Sequence, residues 1–319
     1  MRFLLAGSSS ISSSDVKRFL IICVLLLAWV GALAALYDYA NLWLIRRSSS
    51  SNAGKIERVF LSAPDGEIAI FGSSRALGNY LPSMISPKAY DYGVNGMGMT
   101  ETLFLAGEYL KRHKPEMVII DLSPWGFDDP EKAHFVGDYR LAARSSDVRH
   151  TLKYVKLSWA DWMPGVRFQG KLRNSLVQYM NARKATTKVI DNGAEILLNS
   201  RSDAEWAVMD KTITPFGFEF PAHAQSVLNA FYALRGNAKL VWVVSPIAPY
   251  MREKFTGETL LCDFLKEQER EKGVMVCQID QVDVFQRELF TDHRHLNVRG
   301  ATLFMQKLLA RNLYLTGED

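Results

Sequence analysis

Asp292 and His295 stand three residues apart in Thr291-Asp292-His293-Arg294-His295-Leu296-Asn297-Val298-Arg299-Gly300, at the start of a C-terminal helical pattern. A carboxylate at that spacing can hold an imidazole in one tautomer and stabilise its protonated form. Far upstream, Phe71-Gly72-Ser73-Ser74-Arg75 closes a short apolar run. A serine on a strand-to-helix turn faces a helix N-terminus, which stabilises developing negative charge. Nucleophile, base and orienting carboxylate are the parts of a serine hydrolase. Plainer readings stand beside these. Ser74 is also a natural N-cap, and a histidine at a helix start is commonly a surface or satisfied core group. Ser73 is the rival nucleophile and His293 the rival base.

The elements that must position these residues alternate. Glu67–Phe71 predicts a strand ended by Gly72, and Ala89–Tyr92 a second, before the loop Gly93-Val94-Asn95-Gly96-Met97-Gly98. A helix is expected from about Thr100 to His113, stopped by Pro115. Met117–Leu122, Leu240–Val244 and Val274–Ile279 read as buried strands. Helices are expected over Thr256–Lys272 and Val298–Leu313. Strands alternating with helices imply a parallel sheet covered on both faces, an α/β three-layer sandwich. Functional residues then gather at the carboxyl ends of the strands. Ser74, Asn95, Ser123 and Ser245 all fall just past strand ends. Residues 126–237 do not fit the strand pattern and read as a mostly helical insertion or cap.

The two motifs resemble the first and last blocks of the SGNH (GDSL) hydrolases. Gly72-Ser73-Ser74 stands where that family has Gly-Asp-Ser, and Asp292-x-x-His295 matches its last block. The resemblance implies a flavodoxin-like sandwich, Ser74 as nucleophile, His295 as base, Asp292 as its orienter, and no cofactor. It also implies an oxyanion hole from the N–H groups of Ser74 and a second-block glycine. Gly96 aligns best with that glycine, and Gly93 is the alternative. The third block should read Gly-x-Asn, but this chain has Ser123-Pro124-Trp125. Asn95 could stand in as the side-chain donor, or could simply serve the turn before Gly96.

The doubled serine, the Ser-Pro-aromatic replacement and the N-terminal apolar run are similar to DltD-type and alginate-acetylation-type members. Those work on acyl transfer to or from envelope polymers. The resemblance implies an envelope glycan or glycolipid substrate and allows a membrane-bound acyltransferase partner. Arg75 could meet a phosphate or carboxylate on such a polymer, or make an ordinary salt bridge. Trp125 and Trp242 could stack on sugars, or belong to the core.

Phe19–Tyr37 is uncharged and just long enough to cross a hydrocarbon core of about 30 Å. A cleaved signal peptide, with Ala32-Leu33-Ala34 as its site, is the alternative. Trp29, Tyr37, Tyr39 and Trp43 suggest an aromatic belt and favour a retained anchor. The expected plan is a cytoplasmic tail over 1–16, an anchor over 17–37, a tether over 38–64 and the α/β domain over 65–319. That domain is expected outside the cytoplasm. The formal charge of +4 over 319 residues argues against a nucleic-acid partner. Three cysteines with no CxxC or His-rich spacing give no metal signature.

Overall fold

The computed structural model describes residues 13–47, 52–127, 188–199, 201–278 and 285–311. Five parallel strands form the central sheet: β1 (Ile68–Phe71), β2 (Ala89–Asp91), β3 (Met117–Asp121), β6 (Lys239–Val244) and β7 (Met275–Gln278). Their order is β2-β1-β3-β6-β7. The chain goes from β1 outward to β2, then crosses back to β3 on the other side of β1. The order therefore reverses between β1 and β3, where doubly wound sheets open a crevice at their carboxyl ends.

The inner strands β1, β3 and β6 are buried on both sides, as their near-continuous apolar runs require. Ala69, Phe71, Val118, Ile120, Leu240 and Trp242 face one core. Ile68, Ile70, Met117, Ile119, Val241 and Val243 face the other. The first core is covered by α2 (Asn52–Leu61), α5 (Met99–Arg112), α7 (Ala222–Tyr232) and α9 (Glu258–Lys272). The second is covered by the short α3 (Ser74–Asn79) and the last helix, α10 (Val298–Arg311). Two shorter helices, α4 (Pro82–Ile85) and α8 (Pro249–Glu253), lie in the described connections around the sheet. Trp242 is wholly buried, with its indole N–H donating to Tyr232 Oη at 3.1 Å, so it is a core residue and meets no sugar.

The expected tether is overturned. The N-terminal helix α1 runs over Ser13–Arg47, and α2 begins at Asn52. Ile56, Val59 and Phe60 of α2 are buried in the core against α5. Three such side chains are worth about 1.5–3 kcal/mol each, too much for a segment that hangs free. Their i, i+3, i+4 spacing was legible as a helix face. Lys55, one residue before them, is also fully buried, its ammonium donating to Gly93 O at 2.6 Å. Residues 14–41 within α1 are long and apolar enough to cross a membrane.

The expected helical insertion differs as well. Much of it, 128–187, lies outside the described residues. The described part holds a hairpin of β4 (Lys188–Asp191) and β5 (Ala194–Leu197), followed by α6 (Asp203–Asp210) and α7. Asn192 and Gly193 join the two strands with φ of 40° and 93°. Asn-Gly is the pair that a type I′ hairpin turn demands, because both central residues need positive φ. The turn docks on the edge strand, Asn192 O accepting from Asp91 N at 2.8 Å. Helix α7 is no part of a cap, since Leu228 and Phe231 enter the same core as α5.

Candidate functional site

The reversal between β1 and β3 brings the two sequence motifs together. Gly72 ends β1 against β3: a Cβ there would lie 2.7 Å from Ala76 Cβ and 3.0 Å from Asp121 Cβ, so only glycine fits. The chain then turns into α3. Ser73 is the N-cap, its Oγ accepting from Arg75 N at 3.3 Å. Ser74 is the first helical residue and half-buried. The cap therefore falls to Ser73, and the Ser74 hydroxyl is not needed for it.

Asp292 and His295 lie in the loop before α10. The helix itself is capped two residues later by Asn297, whose Oδ1 accepts from Gly300 N at 3.0 Å. Asp292 folds the loop around its own carboxylate, which accepts from Arg294 N at 2.8 Å and His295 N at 3.0 Å. The His295 Nδ1 lies 2.9 and 2.8 Å from the two carboxylate oxygens. Burial pushes the Asp292 carboxyl up, but the hydrogen bond and charge of His295 and the two backbone N–H groups outweigh it. They hold it at about 2. An ionised carboxylate only accepts, so Nδ1 carries the proton and the neutral ring presents Nε2 as a bare acceptor. That Nε2 is buried and has no hydrogen-bond partner among the described residues.

The imidazole rests on α3. A Cβ on Gly78 would come within 3.3 Å of His295 Cδ2. Gly78 is one turn beyond Ser74, so the ring lies along the helix face that carries Ser74. No hydrogen bond joins Nε2 to the Ser74 hydroxyl. Nucleophile–base hydrogen bonds are often long in unliganded sites and tighten with substrate.

A residue that the sequence did not mark fixes this arrangement. Asn79, fully buried at the end of α3, accepts from Leu296 N at 2.8 Å through Oδ1. Its Nδ2 donates to Arg294 O at 3.3 Å and to Ser245 Oγ at 3.1 Å. One amide thus holds the peptide groups on both sides of His295. Nothing local in the sequence pairs Asn79 with that loop, 217 residues away.

Arg75 is 1% exposed and turned inward. Its Nη2 donates to Ser245 O and, at 2.7 Å, to Ser245 Oγ. It makes neither a surface contact nor an ion pair among the described residues, so neither sequence reading describes it. Burial lowers its guanidinium from the ordinary value, against the opposing charge of Asp121. Asp121, at the end of β3, accepts from Tyr80 Oη and Ser245 N, both at 3.2 Å, and burial raises its carboxyl. This cluster ties the ends of β3 and β6 to α3 beneath the site.

The loop after β2 stands at the same edge of the sheet. Val94 N donates to Gly72 O at 3.1 Å, which binds the loop to the end of β1. Gly93 N donates to Asp91 Oδ1 and is therefore occupied, which removes it as an alternative oxyanion donor. Asn95 and Gly96 are exposed at the tip of a turn closed by Met97 N donating to Val94 O at 3.2 Å. Gly96 takes the positive φ of 78°, and Asn95 does not. No hydrogen bond places either beside Ser74. Ser123 Oγ accepts from Trp125 N at 3.3 Å, a local turn with no amide side chain. The Trp125 ring stacks on Phe216 at 4.9 Å, and the Arg294 guanidinium lies 4.3 Å over it. A cavity of about 210 Å³ opens there, lined by Trp125, Phe216, Met251, His293 and Arg294 among others.

His293 is engaged elsewhere. Its Nε2 lies 2.9 Å from Asp210 Oδ1, and its ring meets Trp206 edge-on at 5.4 Å. It links the loop to α6. Among the described residues no three His, Cys, Asp or Glu side chains converge as metal ligands. The chain matches no family model and no curated protein.

Proposed function

We propose that this chain is a membrane-anchored serine esterase or O-acyltransferase of SGNH type, acting on an ester of an envelope glycan or glycolipid. The observation that carries it is the Asp292–His295 pair, with a buried Nε2 that has no partner among the described residues, laid along the Ser74 face of α3 at the sheet's reversal point. Ser74 Oγ attacks the ester carbonyl while His295 Nε2 takes its proton. The tetrahedral intermediate collapses, the C–O bond to the alcohol breaks, and His295 returns the proton to that leaving oxygen. Water, or a sugar hydroxyl in the transferase case, then attacks the acyl-serine and frees Ser74. Asp292 stabilises the imidazolium in both halves. The Ser74 N–H at the start of α3 supports the oxyanion, and Gly96 N–H and the Asn95 amide are the proposed further donors. Helix α1 is proposed as a retained single span, with the domain outside the cytoplasm.

A fluorophosphonate probe tests the chemistry. We expect one adduct, mapped by mass spectrometry to Ser74 and absent in Ser74→Ala. The turn at Ser123-Pro124-Trp125, which carries no amide side chain, favours a second reading, a glycan-binding assembly partner of a membrane acyltransferase. Folded protein that takes no adduct would support that reading against the first. An export-dependent reporter fused after Asp319 should be active; a reporter active only in the cytoplasm would overturn the topology.

A further inference from the structure

The cavity of about 210 Å³ beside the His295 loop is walled by segments far apart in sequence. Trp125 comes just past the end of β3, Met251 from α8 beyond β6, and His293 and Arg294 from the loop before α10. The remaining wall is the segment that carries Thr214 and Phe216. Backbone hydrogen bonds join these walls. Ala248 N donates to His293 O at 3.0 Å, Phe216 N to Lys254 O at 3.1 Å, and Glu219 N to Trp125 O at 3.1 Å. The cavity is therefore built into the fold. It falls below the roughly 300–1,000 Å³ of sites for drug-sized ligands and suits a single sugar ring.

Arg294 brings a permanent positive charge to it. The nearby carboxylates are committed elsewhere, Asp292 to His295 and two loop N–H groups, Asp210 to His293. Arg294 makes no ion pair among the described residues, and its guanidinium lies 4.3 Å over the Trp125 ring. A guanidinium held on an aromatic face keeps its N–H fork for an anion, and carboxylate and phosphate both match that fork. Burial lowers the guanidinium against the charge of Asp292, a cost that an anionic ligand offsets.

The cation sits near the triad. Arg294 precedes His295, and its carbonyl accepts from Asn79 Nδ2 at the end of α3 at 3.3 Å. Burial lowers the guanidinium of Arg75, the neighbour of Ser74, and the charge of Arg294 lowers it further. The anion expected at Arg75 finds no access there, because Arg75 is buried and turned to Ser245. Arg294 lines the cavity instead.

We propose that this cavity is a subsite for one sugar residue bearing a carboxylate or phosphate, with Arg294 selecting the anion and Trp125 fixing the guanidinium. That this sugar belongs to the ester substrate rests on the serine-ester reading above; the anion subsite itself does not.

Titrations of the full chain in lipid nanodiscs, read by saturation-transfer NMR, use three probes: methyl glucuronide, glucose 6-phosphate and methyl glucoside. At least one anionic sugar should bind roughly tenfold or more tighter than the neutral one, the margin of a charge-assisted hydrogen bond. The tighter anion names the source, a uronate or a sugar phosphate; equal affinities for the two assign a site that reads charge alone. Arg294→Gln should erase the margin with an unmoved thermal midpoint, and Arg294→Lys should restore part of it. Thr214→Trp, at an exposed position of the lining, fills the cavity and should abolish binding of all three probes. Equal binding of neutral and anionic sugars, no binding at all, or a margin that survives Arg294→Gln or Thr214→Trp would overturn the subsite. An anion margin without any fluorophosphonate adduct at Ser74 would refute the ester chemistry and leave the subsite standing. An adduct without the margin would do the reverse.

Discussion

The Asn79 side chain grips the backbone on both sides of His295, accepting from Leu296 N at 2.8 Å and donating to Arg294 O at 3.3 Å. Replacing it by alanine leaves the Leu296 N–H buried and unpaired, which costs about 1–3 kcal/mol. The imidazole also loses its fixed place. Asn79→Ala should lower kcat on an aryl ester by roughly 10- to 100-fold with little change in KM, since small misplacements of a reacting group are expensive. Urea denaturation and steady-state kinetics read the two effects separately. A variant less stable but unchanged in kcat would reduce Asn79 to a structural clamp.

Gly78 offers a gentler displacement. A Cβ there would meet His295 Cδ2 at 3.3 Å, so the ring must give by a few tenths of an ångström. Alanine also favours the helix by about 0.5–1 kcal/mol over glycine. Gly78→Ala should therefore keep or raise the thermal midpoint while activity falls several-fold. Undiminished activity would mean that His295 has freedom the packing does not suggest.

The two histidines should separate cleanly. Ser74→Ala/His295→Ala should be hardly worse than either single change, because members of one catalytic unit do not add. His293 is bonded to Asp210, so His293→Ala should loosen α6 and cost stability while most activity remains. Ser73→Ala removes the cap of α3 and should cost about 1 kcal/mol while leaving the Ser74 adduct in place. Loss of activity in His293→Ala with retention in His295→Ala would exchange their roles.

Asp292 links the site to acid stability. Its carboxyl is held at about 2 in the folded chain against an ordinary 3.8. A depressed carboxylate stabilises the fold fully above its unfolded value, and that contribution is lost as pH falls through the folded value. The difference amounts to about 2 kcal/mol. Wild type should thus exceed Asp292→Asn in stability by a constant margin above about pH 4. The gap should narrow steadily toward pH 2. Chemical denaturation at several pH values measures it, and a gap that does not vary with pH would argue against a charged pair with His295.

What the sequence by itself determined is local or periodic. Apolar runs marked the strands β1, β3, β6 and β7, because strands buried on both faces need side chains that tolerate burial everywhere; Ala89–Tyr92, with Asp91 inside it, was read as the fifth. Asp292 and His295 were legible because one turn of chain brings them together. The Asn192-Gly193 turn and the Ile56, Val59, Phe60 face were also written locally, yet they stood inside segments read as cap and tether, and tertiary burial decided their place. Only the folded chain set His295 against Gly78 on the helix of Ser74, turned Arg75 inward to Ser245, and gave Asn79 its grip on the loop. Those relationships join segments far apart in sequence. Their energy comes from burial and from hydrogen bonds completed between elements, so no spacing within one segment could have announced them.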